Sequence, residues 1–169
     1  ACNELVGSHI PNAAAAFAEV GDIRRRLGDL ERAGEAFARA EELSGRTCTG
    51  TALLRLAQGR VGAAYRIITG CMSDESPNRL ARARQLPAAT QIAVAAGDLD
   101  GARAAVNELE STAQAFDTPM LRAMASLSRG RVQLAEHDAE AACRSLRDGL
   151  RRWQELEVPV VAAVHGHAL

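Results

Sequence analysis

Apolar side chains recur every three to four residues along most of this chain, with charged side chains between them. Two such stripes run through Leu99, Ala102, Val106, Leu109, Ala113 and Phe116, and through Ala139, Ala142, Leu146, Leu150 and Trp153. This spacing is typical of α-helices that bury one face. The alternating Val, Thr and Tyr runs of β-strands are almost absent, so the pattern predicts an all-α protein.

The same pattern, read with its turn residues, predicts nine helices. They cover residues 12–27, 29–43, 50–58, 61–72, 78–96, 98–116, 119–136, 138–156 and 159–168. Pro11, Pro77, Pro119 and Pro159 each stand where a first helical turn is expected, and Thr118 is an expected N-cap. Pro87 should kink or split the fifth helix. The clearest loops are 73–77 and 44–46.

A short motif recurs between these helices. It runs Gly-Asp-Leu-Glu-Arg-Ala at 28–33, and related segments occupy 59–64, 97–102 and 137–142. The glycine can end a helix in the left-handed conformation, and the aspartate can cap the next helix. Each copy therefore predicts two antiparallel helices joined by a tight turn.

A single helix pair cannot bury its apolar face, so successive pairs are expected to stack. We predict one helical-repeat domain over residues 1–169, an antiparallel helix-pair solenoid of about four repeats with a truncated terminal helix. The chain begins without Met and stops within a helical pattern, which suggests a fragment of a longer protein. Phe37 is expected to be buried between its own pair and the next.

The charge balance argues against nucleic acid as a direct partner. All 20 basic residues are Arg, against 21 acidic residues, for a net charge of −1, and aromatic residues make up only 3%. Duplex binding needs excess positive charge, and base stacking needs aromatic side chains. No apolar run is long enough to span a membrane, and no signal peptide is evident, so no membrane partner is predicted.

The sequence offers few candidate catalytic or metal-binding residues. The four cysteines are scattered without a CxxC pair, which predicts neither a disulfide framework nor a zinc site and favours a reducing cytoplasm. Cys143 is interpreted as a small core residue. His165 and His167 are two residues apart on a predicted helix and point in different directions, with no third ligand nearby. We therefore predict no metal, no cofactor and no catalytic residue.

The first repeat resembles a tetratricopeptide repeat. Phe17, Val20 and Gly21 match the aromatic, aliphatic and small positions of the family's first helix, Gly28 and Asp29 match its turn, and Ala33, Phe37 and Ala40 match the packing positions of its second helix. The sequence departs from the family at Arg24, where Tyr is preferred, and at Gly45, where Pro is preferred. Gly130 and Ala142 occupy small-residue positions of the fourth unit.

Nearly the whole chain also resembles the helical-repeat region of actinobacterial LuxR-type transcription regulators. The similar segments are 18–29, 52–60, 95–99 and 153–156. The resemblance implies a non-enzymatic sensor or protein-interaction region, which works in signal transduction upstream of a DNA-binding domain. The alternative is a free-standing scaffold that binds protein partners in a concave groove. A third class, an enzyme with an all-α active site, would need a cluster of perturbed titratable groups in one pocket.

The resemblance also implies where a partner would bind. Positions that line the groove in the repeat family correspond to Asp22, Arg25, Arg26, Arg84, Gln91 and Arg131, with Leu53, Leu56, Val94, Leu127 and Leu134 beside them. Such a groove suits an acidic peptide or a partner helix. By contrast, Arg144, Arg147, Arg151 and Arg152 are interpreted as a solvated outer face, interleaved with Asp148 and Glu155.

The terminal helix predicts a second kind of partner. Val160, Val161 and Val164 follow Pro159, and the helix that would cover them is absent from the sequence. Uncovered apolar surface tends to mark an association site. A homodimer through a cut end is therefore predicted.

Overall fold

A computed structural model describes residues 2–44, 48–73 and 78–156, with side chains from residue 12 onward. This part of the chain is all-helical and contains no β-strand, as the apolar spacing predicts. Its helices are α1 (Cys2–Arg26), α2 (Leu30–Ser44), α3 (Cys48–Ala57), α4 (Val61–Ser73), α5 (Arg79–Ala83), α6 (Leu86–Ala96), α7 (Leu99–Phe116), α8 (Pro119–Ala135) and α9 (Ala139–Glu155). None of them is long and apolar enough to cross a membrane.

The chain divides into two compact units, Ala1–Asp74 and Glu75–Leu169. In the first unit α1 packs on α2 and α3 packs on α4, while α3 also contacts α1 and α2. Its core is centred on Phe37, which is only 3% exposed and lies with Ala33 and Leu54.

Two glycines make room for the Phe37 ring. A Cβ atom at Gly21 in α1 would stand 2.8 Å from the ring carbon Cδ1, and one at Gly50 in α3 would overlap Cε1. The ring therefore lies between its own helix pair and the next pair, as the repeat register predicts. Ala33 and Ala40, at predicted packing positions, are fully buried.

In the second unit α6 packs on α7, α7 on α8, and α8 on α9, with α6 also contacting α8. The short α5 contacts α6 and α7. Two glycines lie in the contact between α8 and α9, where Gly130 faces Leu146 and Gly149 faces Leu127. Each glycine lacks the Cβ that would meet the opposing leucine, so the two helices lie close together.

The four copies of the recurring motif form four turns of the same kind. In each, one residue is left-handed, with φ of 82° at Gly28, 73° at Gly59, 78° at Gly97 and 64° at His137. The next residue donates its backbone N–H to the carbonyl five positions earlier: Asp29 to Arg24 at 3.0 Å, Arg60 to Arg55 at 2.8 Å, Asp98 to Ala93 at 3.0 Å and Asp138 to Gln133 at 2.9 Å. These are Schellman C-caps, which satisfy carbonyl groups left open at a helix end.

The aspartates of this motif cap the following helices, as predicted. The Asp98 carboxylate accepts the Gly101 N–H at 2.9 Å, and the Asp138 carboxylate accepts the Ala141 N–H at 3.0 Å. One motif thus ends a helix and starts the next within two residues. The result is four helix pairs, α1–α2, α3–α4, α6–α7 and α8–α9.

The proline predictions had different outcomes. The predicted fifth helix is split into α5 and α6, and α6 begins one residue before Pro87. Pro119 is the first residue of α8 and follows the N-cap Thr118. The prediction for Pro11 is wrong, because α1 begins at Cys2 and runs through it. Residues 13–16, just after Pro11, are all alanine, which strongly favours a helix. The predicted loops 44–46 and 73–77 each begin with a residue that is helical, since Ser44 ends α2 and Ser73 ends α4. The rest of both loops and the predicted helix 159–168 lie outside the described residues.

Two cysteine predictions are wrong. A disulfide joins Cys48, at the start of α3, to Cys71, near the end of α4, with a Cα–Cα distance of 6.1 Å. The two helices of one pair bring together residues 23 positions apart, which sequence spacing alone does not reveal. This disulfide removes the basis for predicting a reducing compartment from scattered, unpaired cysteines. Cys143 is exposed rather than part of the core.

Candidate functional site

Three of the predicted groove residues meet at the end of α1. The Asp22 carboxylate accepts hydrogen bonds from both Arg25 and Arg26, each with a shortest contact of 2.6 Å. The Arg25 side chain is largely covered, whereas Arg26 remains 45% exposed. Positive charge is favourable at a helix C-terminus, so this cluster has a structural role as well. Of the two arginines, Arg26 has the guanidinium that is more accessible to a partner, although it too is paired with Asp22.

Exposed apolar side chains lie on α1 and directly after it, where Leu27 follows the last residue of the helix. Phe17, Val20, Ile23 and Leu27 are all exposed, and Leu27 is the most open of them at 79%. Leu53 and Leu56 on α3 are half-buried. The first unit therefore offers both charge and apolar surface.

The other predicted groove residues belong to the second unit. Arg84 is exposed at the end of α5, Gln91 and Val94 are half-buried on α6, and Leu134 is exposed on α8. Leu127 lies against Gly149 of α9. Because these residues and those of α1 and α3 fall in separate compact units, a single groove through all of them stays a prediction.

Arg131 on α8 differs from the other arginines of this set. Its side chain is half-buried, and desolvation by burial lowers the pKa of its guanidinium. Within the described residues no carboxylate pairs with it. A half-buried cation without a counter-ion is partly desolvated, so this position would gain from a partner carboxylate.

The second unit also contains a cleft of about 430 Å³ between α7, α8 and α9. Its lining is mostly polar: Glu110, Ala113 and Gln114 from α7, Arg122, Ala125, Ser126 and Arg129 from α8, and Arg144, Ser145, Asp148 and Arg152 from α9. We call this the arginine cleft. Its volume falls within the range of small-ligand sites, although those are usually lined by apolar side chains.

Ion pairs hold the arginines of this cleft. Arg129 pairs with Glu110 across α8 and α7, and Arg152 pairs with Asp148 within α9 at 2.7 Å. Arg122 pairs with Asp117, and Arg144 pairs with Glu140. Asp117 and Glu140 do not line the cleft, so two of its four guanidinium groups are neutralised from outside it.

Asp148 is the most strongly hydrogen-bonded carboxylate of the cleft. Its pKa is lowered to about 2, chiefly by the hydrogen bond from Arg152. Burial opposes this shift, and the hydrogen bonds from Ser126 and Arg151 add to it. The Ser126 hydroxyl donates to it from α8 at 2.8 Å, so the charged carboxylate joins two helices. Asp148 is therefore ionised at neutral pH and fixed in position.

Sequence reasoning missed this cleft. It placed Arg144, Arg147, Arg151 and Arg152 on a solvated outer face interleaved with Asp148 and Glu155, and Arg151 does bond to both carboxylates. It did not predict that Arg122 and Arg129 of α8 lie beside the arginines of α9 in one cleft. The available signal was their spacing of seven residues, which puts both on one face of a helix.

The part of the chain that is described contains no group of three or more His, Cys, Asp or Glu side chains placed to hold a metal ion. His165 and His167 lie outside it.

Comparison with known proteins assigns no relative. No protein-family model, curated protein or solved structure matches this chain significantly.

Proposed function

We propose that this chain is a helical-repeat sensor and protein-interaction region of a transcription regulator, without enzymatic activity of its own. The observation that carries the proposal is the fourfold recurrence of one helix-pair turn, with a left-handed residue and a Schellman cap at Gly28, Gly59, Gly97 and His137. Repeated pairs with a shared turn are the building units of tetratricopeptide-like solenoids. Such arrays present extended surfaces for other proteins.

Each compact unit would present to a partner the predicted groove residues that it contains. Arg26 offers an exposed guanidinium, and Arg131 offers one that lacks a carboxylate among the described residues. Leu53 and Leu56 supply half-buried apolar surface. This combination fits a peptide or helix with acidic and apolar side chains, because carboxylates bind arginine with charge-assisted hydrogen bonds.

In a regulator the mechanism would be a shift between two arrangements of the repeats. A partner or inducer that binds one arrangement more tightly shifts the equilibrium toward it. The change would then pass to a domain outside these 169 residues. Such a protein would act in the cytoplasm. In that reducing compartment Cys48 and Cys71 would be held as thiols rather than as a disulfide.

Partner capture with matched variants tests the groove. The chain is used to capture partners from its native cells, and each purified candidate is then titrated against Arg26→Glu and Arg131→Gln. The control is Arg32→Glu, since Arg32 is 69% exposed on α2 and is not a predicted groove residue. A partner whose affinity falls with both groove variants but not with the control supports the proposal. Equal binding by all four proteins contradicts it.

The flanking gene sequence separates the regulator from a free-standing scaffold. A helix-turn-helix segment encoded downstream supports the regulator. A chain with no DNA-binding segment in the same gene contradicts that part of the proposal and favours the scaffold.

A further inference from the structure

The arginine cleft has a chemistry that the proposed groove does not share. Its only apolar side chains are Ala113 and Ala125, and the rest of its lining is charged or hydrogen-bonding. An apolar ligand or the apolar face of a helix would bury these polar groups without partners, which is costly. The occupant should therefore be polar and, because arginines outnumber carboxylates four to two, acidic.

We propose that the arginine cleft binds a short acidic peptide segment of a partner protein. The site is separate from the proposed groove and lies wholly within the second compact unit. It uses none of the predicted groove residues.

Two of the four arginines can change partners at little cost. The Arg122–Asp117 pair has side chains 48% and 71% exposed, and the Arg144–Glu140 pair has side chains 63% and 88% exposed. Ion pairs this open to solvent contribute little to stability. A peptide carboxylate could replace Asp117 or Glu140 and, held in a cleft rather than at the surface, would bind more strongly.

The positions of the arginines indicate how long the ligand must be. Arg122 and Arg129 are seven residues apart on α8, and Arg144 and Arg152 are eight apart on α9, which corresponds to about 10–12 Å along each helix. The Ser126–Asp148 and Gln133–Ser145 hydrogen bonds show that the two helices run in opposite directions. Arg122 therefore lies toward the same end as Arg152, and Arg129 toward the same end as Arg144.

This separation favours a peptide over a single anion. An extended chain advances about 3.3 Å per residue, so three to four residues span the two ends of the cleft. One phosphate or one carboxylate could reach only one end. A segment with acidic side chains at both ends would engage both.

The carboxylates of the cleft favour a peptide over a nucleic acid. Glu110 and Asp148 lie among the arginines and would repel a continuous phosphate backbone. A peptide backbone instead carries N–H groups that can donate hydrogen bonds to these carboxylates. The two negative charges thus select for a ligand that combines acidic side chains with donors.

Fluorescence anisotropy with the whole chain tests the ligand class. The probe is labelled hexaglutamate, and the comparison ligands are hexaglutamine, diglutamate, oligothymidylate and inorganic phosphate. We expect saturable binding of hexaglutamate, with at least about tenfold weaker binding of the other four, which equals about 1.4 kcal/mol. Tighter binding of oligothymidylate would overturn the proposal in favour of a nucleic acid. Equal binding of phosphate or diglutamate would overturn the two-ended site.

Matched double variants locate the site. Arg122→Gln with Arg144→Gln removes the two exchangeable arginines, whereas Arg39→Gln with Arg103→Gln removes two other exposed, ion-paired arginines and gives the same net charge. We expect about a tenfold loss of hexaglutamate affinity in the first protein and less than about a twofold loss in the second. Circular dichroism checks that both remain folded. Equal losses would mean that only overall charge matters and would overturn the proposal.

The groove variants keep this result distinct from the proposed function. Arg26→Glu and Arg131→Gln should leave hexaglutamate binding by the cleft unchanged, because neither residue lines it. If they abolish it while the cleft variants have no effect, the acidic segment binds in the groove and the cleft proposal is wrong. The partner captured through the groove would be unaffected by either outcome.

Discussion

At the scale of single residues, Phe37 and its two facing glycines make the most exacting contact in the first unit. The ring fills the space that Cβ atoms at Gly21 and Gly50 would occupy. The contact couples α2 to both α1 and α3, so its loss should affect the whole unit.

We predict that Phe37→Ala lowers the free energy of unfolding by roughly 3–5 kcal/mol, since it leaves a cavity where a buried aromatic ring stood. Gly50→Ala should cost roughly 1–3 kcal/mol by overpacking against the ring. Gly70→Ala is the control, because a Cβ there meets open space, and it should be neutral or slightly stabilising. Urea denaturation measures all three. A loss below about 1 kcal/mol for Phe37→Ala would contradict the repeat register.

Asp148, also at the scale of single residues, predicts that the stability of the folded protein depends on pH. Its pKa is lowered to about 2 in the folded protein, chiefly by the hydrogen bond from Arg152. A carboxylate with a depressed folded-state pKa contributes stability above its unfolded-state pKa, near 4, and loses it as the pH falls toward 2. The contribution should therefore be complete at pH 7.

Asp148→Asn should be less stable than the wild-type protein at pH 7, and the difference should shrink between pH 4 and pH 2. Asp100→Asn is the control, because the Asp100 side chain is 95% exposed. Urea midpoints across this range provide the measurement. A difference that stays constant with pH would show that Asp148 acts through shape rather than charge.

At the scale of elements, the four turns share one backbone geometry but differ in the residue that adopts the left-handed conformation. Three of them place glycine in the left-handed conformation, whereas the fourth places His137 there. For a residue with a Cβ this conformation is unfavourable by about 1–2 kcal/mol, while for glycine the entropic cost is smaller.

We predict opposite effects for exchanges at two of these turns. His137→Gly should stabilise the protein by about 0.5–1 kcal/mol, and Gly97→Ala should destabilise it by about the same amount. Thermal unfolding of both variants measures the difference. If the two substitutions shift the midpoint in the same direction, the left-handed conformation is not what controls stability at these positions.

The disulfide between α3 and α4 covalently joins the two helices of the second pair, so it should stabilise that pair. It closes a loop over a sequence separation of 23 residues, and constraining the unfolded chain by such a loop is worth about 3 kcal/mol. We expect Cys48→Ser with Cys71→Ser to lower stability by about that amount in oxidising buffer. Cys143→Ser should have no effect, since Cys143 is free and exposed. Equal stability with and without reductant would contradict the stabilising role of the bond.

At the scale of the whole molecule, charge governs what the chain attracts over long distances. Its 20 basic and 21 acidic residues nearly cancel, and most described arginines lie in ion pairs. The ion-paired arginines of the arginine cleft therefore do not extend into a basic surface that would follow a duplex.

We predict that the 169-residue chain does not bind duplex DNA specifically at physiological salt. Such binding depends on phosphate contacts by excess basic residues, which this composition lacks. Band-shift assays with duplexes of different sequence provide the test. A tight, sequence-dependent complex would contradict the proposed role as a regulatory region without DNA contacts of its own.

What the sequence determined by itself is local. Helix type and approximate bounds follow from the apolar spacing, and the turns at Gly28 and Gly97 follow from steric freedom and capping, both of which act within a few residues. The Phe37 contact could be predicted only through the resemblance to a tetratricopeptide repeat, because that resemblance assigns Phe37 a packing position. Pro11 shows the limit of local signals, since the same residue can start a helix or lie within one.

The tertiary structure decided everything that joins distant positions. Cys48 meets Cys71, Ser126 meets Asp148, and Arg129 meets Glu110, because helix packing places residues from different elements side by side. The arginine cleft exists only through that packing, which is why the α9 arginines could be interpreted from sequence as an outer face and no more. Sequence periodicity tells which face of a helix is apolar, but not which helix lies against it, and the neighbour determines which charges share a site.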